Sequence, residues 1–454
     1  MSAESALGEG TEARRRTRSV EVLVVGAGPA GLAAAADLAR AGIEVEVLER
    51  ESEPGGIPRH SHHAGYGLRD LHRWLRPMTG PAYARCWTTR AVDAGARVRT
   101  STSVTGWASG SQDPGEAGTP SLDVVSPDGL ERVRAGAVLL ATGARERPRS
   151  ARLVAGSRPA GVYTTGQLQQ AVHLHRQSVG RRAVVVGAEH VSYCALLTLA
   201  QAGVEVVALV TPHPRTQTFP AFAAAATVRW AVPVLCNTEV VALHGRPRLT
   251  SVEVRHDDGR SARIAADTVV FTADWIPDHE LARRAGLPMA AGSRAPIVDT
   301  GLRTPRPGVF AAGNLVHPVH TADVVALAGQ HAARSVRAWT LSGRDRSGWP
   351  AAAAAGGVRV EPGGAVLWVA PGLVPPSAAE ADGARTPPPR GRFTIWLDRL
   401  VERPVLTVRQ GGRVLLYRSR RRALLPGRAI DLPADWLDAV LDGGPPITMG
   451  VEPA

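Results

Sequence analysis

From residue 20 to residue 25 every position but Glu21 is apolar, and the run stops at Gly26. A near-continuous apolar run of this kind predicts a strand buried on both faces of a parallel sheet. Residues 29–41, PAGLAAAADLARA, then predict a helix, with Pro29 suited to its first turn and Ala33 to Ala36 keeping its packed face slim. A second strand over 44–48, EVEVL, ends at Glu49. The same rhythm returns at 182–187, RAVVVG, followed by AEHVSYCALLTLAQAG and a strand over 204–210. Shorter apolar runs predict strands over 96–104, a hairpin over 122–133 around Pro127-Asp128-Gly129, and strands over 137–140, 240–243, 251–254 and 268–272. Residues 70–96 read as helix interrupted at Gly80-Pro81, 161–180 as a helical connection, and a further helix starts near Thr321. Beyond Trp349-Pro350 short β patterns, a hairpin at Gly411-Gly412 and a small helix near 433–441 predict a separate β-rich unit.

The turns between these elements carry the chemistry. Gly26, Gly28 and Gly31 have the G-x-G-x-x-G spacing between strand and helix: the first permits the tight turn, the second admits a pyrophosphate, the third lets helix and strand approach. Glu49, 23 positions after Gly26, stands where a carboxylate takes the hydroxyls of an adenosine ribose. Gly55 and Gly56 and the small-residue turn Ala141-Thr142-Gly143-Ala144 let main chain pass close to a bound cofactor. In the second copy Gly187 keeps the first glycine, but Glu189 and Ser192 replace the other two, and no acid follows the strand that ends at Thr211. A carboxylate about 4 Å from a pyrophosphate charge costs about 4 kcal/mol at an effective dielectric near 20, so this site is read as degenerate even though Arg215 is available for a 2′-phosphate. Residues 57–70, IPRHSHHAGYGLRD, bring His60, His62, His63 and Tyr66 to the region where the far end of a cofactor on the first turn would arrive. The H-x-H-H pattern lacks carboxylate or thiolate neighbours, so a polar wall with one histidine as acid or base is preferred to a metal site. Residues 307–314, PGVFAAGN, end a strand in a small-residue turn with one polar side chain, suited to a cofactor sugar or phosphate.

Composition removes several chemistries. The chain of 454 residues carries a formal charge of +12, yet all 53 basic residues are arginine and they are scattered, so a nucleic-acid partner is not expected. Without lysine there is neither a Schiff base nor a lysine general base. Cys86, Cys194 and Cys236 are far apart and form no C-x-x-C, which excludes a dithiol pair and a four-cysteine cluster from this chain alone and fits reduced thiols in a cytoplasmic protein. No apolar run reaches the roughly 18 residues of a membrane span. Residues 1–19 are expected to be a flexible tail, residues 375–391 a disordered loop, and Arg418 to Arg422 a solvated face.

GAGPAG with Glu49, then ATGA, then PGVFAAGN, with a second nucleotide-type unit inserted between, resembles the flavoprotein superfamily with two dinucleotide-binding domains, over about residues 20–340. The match looks closest to the larger FAD subunits of bacterial opine, sarcosine and amino-acid dehydrogenases or oxidases and of hydrogen cyanide synthase, which also carry asparagine where Asn314 stands. The resemblance implies an α/β fold: a Rossmann-like FAD-binding domain in two parts, 20–178 and 295–345, an inserted NAD(P)-type domain over 179–294, and a small C-terminal domain over 346–454. It implies FAD with its pyrophosphate on Gly26, Gly28, Pro29, Ala30 and Gly31 and its ribose on Glu49 beside Arg50. It further implies adenine near Val104, contacts at Gly56, Thr142 and Gly143, ribitol at Gly313 and Asn314, and the ring between the histidine loop and Thr321. NAD(P) is doubtful. The expected activity is hydride transfer to flavin from a small amine, an amino acid or a related carbon–nitrogen or carbon–oxygen bond, with His62 or His63 as proton acceptor and Tyr66 and His320 lining the pocket. Alternatives are an NAD(P)H-dependent reductase and a noncatalytic FAD-bearing component of a larger dehydrogenase. The expected partner is a further dehydrogenase or oxidase chain or an electron carrier, and no metal is expected.

Overall fold

In the computed structural model, which describes residues 16–108, 119–220, 223–224, 229–343, 349, 357–377 and 385–454, the first apolar run becomes the strand Arg16–Val25 inside a seven-stranded sheet. That strand takes in the last four residues of the expected tail, 16–19, and residues 1–15 lie outside the described residues. Charge pairing carries it outward: Arg18 donates to Glu131 at 2.8 Å and to Glu46 at 3.0 Å, and Arg99 donates to Glu131 at 2.5 Å. The order across the sheet is Arg97–Arg99, Val45–Leu48, Arg16–Val25, Gly129–Leu140, Ser121–Ser126, Ser103–Trp107. Strand Val309–Ala311 adds in parallel to the far half of Gly129–Leu140, so the motifs at 26–31, 141–144 and 312–314 emerge at one edge.

The helices that matter are α1 (Pro29–Arg40), α2 (Gly80–Asp93), α3 (Thr165–Gln169), α4 (His190–Gln201), α5 (Glu280–Arg284) and α6 (Ala322–Leu341). Helix α6 lies against α1 so closely that a Cβ on Gly329 would stand 2.0 Å from the Ala30 carbonyl oxygen. The helix expected over 70–96 is instead a loop followed by α2, which starts at Gly80 with Pro81 in its first turn. Proline lacks an N–H, and the first turn is where none is needed, so Pro81 begins a helix where a break was expected. The connection expected to be helical over 161–180 opens as a strand, Val162–Thr164, and Thr164 caps α3 through a reciprocal bond pair with Gln167.

The inserted unit has a five-stranded parallel sheet in the order Val162–Thr164, Thr268–Phe271, Arg182–Val186, Glu205–Val210, Val234–Leu235, with a four-stranded sheet beside it. It is joined to the first unit by an antiparallel ribbon of Ala144–Glu146 and Trp275–Pro277. The C-terminal unit packs a five-stranded and a three-stranded sheet around Phe393, Leu406, Val408 and Met449, all buried. The helix expected near 433–441 is one 3-10 turn, Leu437–Ala439, after the strand Ile430–Pro433. Of the loop expected to be disordered, 378–384 lie outside the described residues, whereas Arg385 is buried and donates to the carbonyls of Leu437 and Val440 and to Asp442.

Candidate active site

The first glycine turn is a main-chain cradle. Gly26 has φ +105°, a Cβ on it would stand 2.5 Å from the Ala141 carbonyl oxygen, and one on Gly31 would stand 2.0 Å from the Gly26 carbonyl oxygen. Gly28 differs: nothing lies within 4 Å of where its Cβ would be. It is also the N-cap of α1, with no side-chain bond and no acid in the first turn where Pro29 and Ala30 stand. The free amino end of a twelve-residue helix facing open space fits a pyrophosphate. Gly56 closes the cradle, its virtual Cβ 2.9 Å from the Gly28 Cα, and Gly313 comes as near to Ala30, at 2.8 Å from its Cβ.

Glu49 is buried beside this turn and is held by two main-chain donors, Ala27 and Glu51, each at 2.9 Å. Ser101 and Thr102 donate to the carbonyls of Glu51 and Glu49, which brings the stretch leading to Val104 next to the acid. Arg50 is exposed and lies 3.7 Å from Glu51 and 3.9 Å from Asp278. Thr142 donates to the Asp278 carbonyl at 2.7 Å and Gly143 accepts from the Asp278 amide at 2.9 Å, tying the third cradle segment to the linker ribbon. Asn314 does not stand free for a ligand: its Nδ2 donates to the His320 carbonyl at 3.0 Å and its Oδ1 accepts the His320 amide at 3.1 Å, holding the turn before Thr321, the N-cap of α6.

The histidine loop separates its members. His60 is buried with Nδ1 unpartnered, and burial pulls its pKa down to about 4. His62 is exposed and stacks on His173 of the inserted unit, ring centroids 4.1 Å apart and 5° from parallel. His63 is half-buried with Nδ1 2.9 Å from the Ala64 carbonyl oxygen, so Nδ1 carries the proton and Nε2 keeps its lone pair. Burial also pulls the His63 pKa below the ordinary imidazole value. The Tyr66 ring lies 5.2 Å from His63, and burial raises its phenol pKa. His320, expected in the pocket, turns to the C-terminal unit: its Nε2 is 2.8 Å from the Thr394 hydroxyl, and Asp431, paired with Arg390, is 4.0 Å away. A buried imidazole needs a hydrogen-bond partner, and Thr394 supplies it.

Three acids were missed. Asp323, in the first turn of α6, accepts the amides of Gly67, Leu68 and Arg69 at 3.2, 3.0 and 3.1 Å and so anchors the end of the histidine loop. Its signal in the sequence was an acid two residues after a helix cap. Asp70 accepts from Tyr83 at 2.5 Å and from Trp87 at 2.9 Å. Glu146, on the ribbon, accepts the amides of Gly166 at 2.9 Å and Ala273 at 3.2 Å, and burial pushes its pKa up to about 7. Neither of the last two has a sequence signal beyond its residue type.

The second glycine turn is closed where the first is open. A Cβ on Gly187 would meet the Thr272 hydroxyl at 2.0 Å and the Glu189 carboxylate at 2.5 Å, and Ser192 bonds Glu189 at 2.6 Å. The C-terminal unit packs beside it: Gly427 faces Gln217 and Glu189, with virtual Cβ distances of 3.1 and 3.9 Å. Arg428 lies over the Phe219 ring at 4.3 Å, and Arg215, the one residue the sequence offered for a 2′-phosphate at this degenerate site, lies 3.8 Å from Glu402. Among the described residues no group of three or more His, Cys, Asp or Glu is placed to hold a metal ion, and no helix is long and apolar enough to cross a membrane.

An open dinucleotide cradle at the edge of a parallel sheet, with a second, closed one inserted after it, defines a flavin-type oxidoreductase with two dinucleotide units. The chain belongs to the pyridine nucleotide-disulphide oxidoreductase family, whose family model matches residues 20–336. Its cofactor is FAD, as the family and its flavoprotein relatives indicate. It is 29% identical to the alpha chain of the sarcosine oxidase of Rhizobium meliloti over 69% of this chain and 30% of that protein. It is 27% identical to an opine oxidase component of Agrobacterium tumefaciens over 65% of this chain and 61% of that protein. The chain therefore spans under a third of the first relative and about three-fifths of the second. It is also 30% identical to a ferredoxin–NADP reductase of Salinispora arenicola over 66% of this chain and 86% of that protein. The fold is that of the thioredoxin reductase of T. acidophilum, at a TM-score of 0.59 and 20% identity over 71% of this chain and 99% of that one.

Proposed function

We propose that the chain is the FAD-bearing member of a multichain enzyme and oxidises a small amine or amino acid at its carbon–nitrogen bond. The sarcosine and opine oxidase relatives support that substrate class, and their being named as single components of those oxidases supports a second chain. FAD, when bound, supplies the hydride acceptor. The main chain of Gly26 to Gly31 and the amino end of α1 hold the pyrophosphate, and the lone pairs left on Glu49 take the ribose hydroxyls. A hydride leaves carbon readily only when the adjacent nitrogen is neutral, so a base must first take a proton. His63 suits that task, with Nε2 free and burial keeping the ring neutral near pH 7. The stack of His62 on His173 orients the loop, and the Tyr66 ring packs beside His63. The geometry of His63 is the observation that carries this reading. Turnover with proline, N-methylated amino acids and opines and a dye acceptor tests it. The wild-type chain turns over at least one of them and His63→Ala loses that activity, whereas equal rates in the two proteins refute the role of His63.

The Salinispora reductase favours a second reading, in which NADPH reduces the flavin. The Glu189 carboxylate over Gly187 weighs against it. The compartment we infer is the cytoplasm, where Cys86, Cys194 and Cys236 stay reduced. Titration of the freshly isolated chain should give three free thiols, and fewer would contradict it.

A further inference from the structure

Between the short paired strands Ala64–Tyr66 and Met78–Thr79 runs an arm whose root is fixed and whose tip is bare. Asp323 holds the root through three amides, and Asp70 is fastened to Tyr83 and Trp87. The tip is ordered by its own bonds: the Arg73 amide donates to the Gly67 carbonyl at 2.9 Å, the Arg76 amide to the Arg73 carbonyl at 3.2 Å, and Arg73 Nε to the Arg76 carbonyl at 3.3 Å. On this tip Trp74 is 62% exposed and Leu75 is 97% exposed. Arg69, Arg73 and Arg76 around them are exposed and form no ion pair among the described residues. Two large apolar side chains held in water at the end of a braced arm mark an interaction site, and the uncompensated positive charge sets the sign of what meets it.

We propose that this arm docks a second protein chain through an acidic surface with an apolar recess for Trp74 and Leu75. A tryptophan flanked by arginines is the side-chain set that dominates protein interfaces. The internally bonded tip has a fixed shape, which a protein recess can match and a fluid lipid surface does not require. The arm leaves the candidate site at Tyr66, so a chain seated on it lies next to the histidine loop. The inference rests on the proposed function only in taking that chain to be the other member of the enzyme.

The test places a photo-crosslinking amino acid at position 75 of the full chain in producing cells, identifies the attached protein, and measures binding of that purified protein to wild-type, Trp74→Ala and Arg73→Glu/Arg76→Glu chains. Both variants alter exposed groups, so an unchanged melting temperature certifies their fold. The expected result is one protein joined through an acid-rich peptide, with binding weakened at least tenfold in each variant and weakened again by high salt. Crosslinks to a second copy, to lipid or to nothing overturn the proposal, as does equal binding by Trp74→Ala. Retention of the wild-type chain on phosphatidylglycerol vesicles that is lost in Trp74→Ala assigns the arm to a lipid surface and overturns the proposal, whereas equal retention of the two chains is the result expected of a protein-docking arm. Flavin reduction by substrate in the isolated chain is read separately: docking through the arm with no amine substrate removes the proposed substrate class and leaves the docking standing.

Discussion

The Ala64 carbonyl oxygen, by accepting a hydrogen bond from the Nδ1–H of His63, decides which nitrogen of that ring can act as a base. His63→Ala should lower kcat by about a hundredfold to ten-thousandfold, the usual worth of a general base, and His62→Ala should cost much less. Because burial lowers the His63 pKa, the required neutral form predominates at pH 7. The rate should therefore be flat above neutrality and fall as pH drops through a value under about 6.5, the ordinary imidazole pKa. A limb centred above that value would contradict the assignment. Two glycines separate binding from folding in the same turn. Gly31→Ala pushes a Cβ against the Gly26 carbonyl and should destabilise the chain without cofactor, while Gly28→Ala meets nothing in the fold. Gly28→Ala should keep the melting temperature of the cofactor-free chain and weaken FAD uptake, measured by titration of the flavin fluorescence. The three glycines were legible because their identity is set by backbone approach within a few residues. The separate fates of His60, His62 and His63 were not, because Gln169, which accepts from Ser61 Oγ at 2.9 Å, and His173, which stacks on His62, lie more than a hundred positions on.

At the scale of elements, the histidine loop depends on α6 through one carboxylate. Asp323→Ala leaves three amides without their charged acceptor and should cost about 3 kcal/mol, given that a hydrogen bond to a charged group contributes about 1.5–3 kcal/mol. Faster amide exchange at 67–69, with little change in the core strands, is the expected signature. The Arg18, Arg99, Glu46 and Glu131 cluster joins neighbouring strands of the main sheet. Burial would raise the Glu131 pKa, but bonds from Arg18 and Arg99 outweigh it and hold the carboxyl below its ordinary value. A depressed acid contributes stability above its unfolded pKa and loses it as pH falls through the folded one. Glu131→Gln should therefore lower the midpoint of urea unfolding at pH 7, and the difference from wild type should shrink as pH falls below the unfolded value of about 4.3 and through the lower folded one. Most strands were legible from their apolar runs. Pro81 was misread because local pattern does not say whether a proline ends one helix or starts the next, and the start of the 161–180 connection because Val162–Thr164 becomes a strand by pairing with residues 269–271, more than a hundred positions on.

The whole molecule places one open and one closed dinucleotide turn in a single chain. The replacement of two glycines by Glu189 and Ser192 was visible in the residues and already argued against a nucleotide there. The approach of the C-terminal unit through Gly427 and Arg428 was not, since those residues are separated from Glu189 by more than two hundred positions of unremarkable composition. His320 was misplaced for the same reason: its partner Thr394 belongs to a unit whose docking no local pattern encodes. The two readings of the chain differ in where the electrons enter. Anaerobic stopped-flow mixing of the FAD-loaded chain with proline, sarcosine or an opine, and separately with NADPH, distinguishes them by following the flavin absorbance band. The account predicts rapid bleaching by one of the amines and none by NADPH; bleaching by NADPH alone would contradict it.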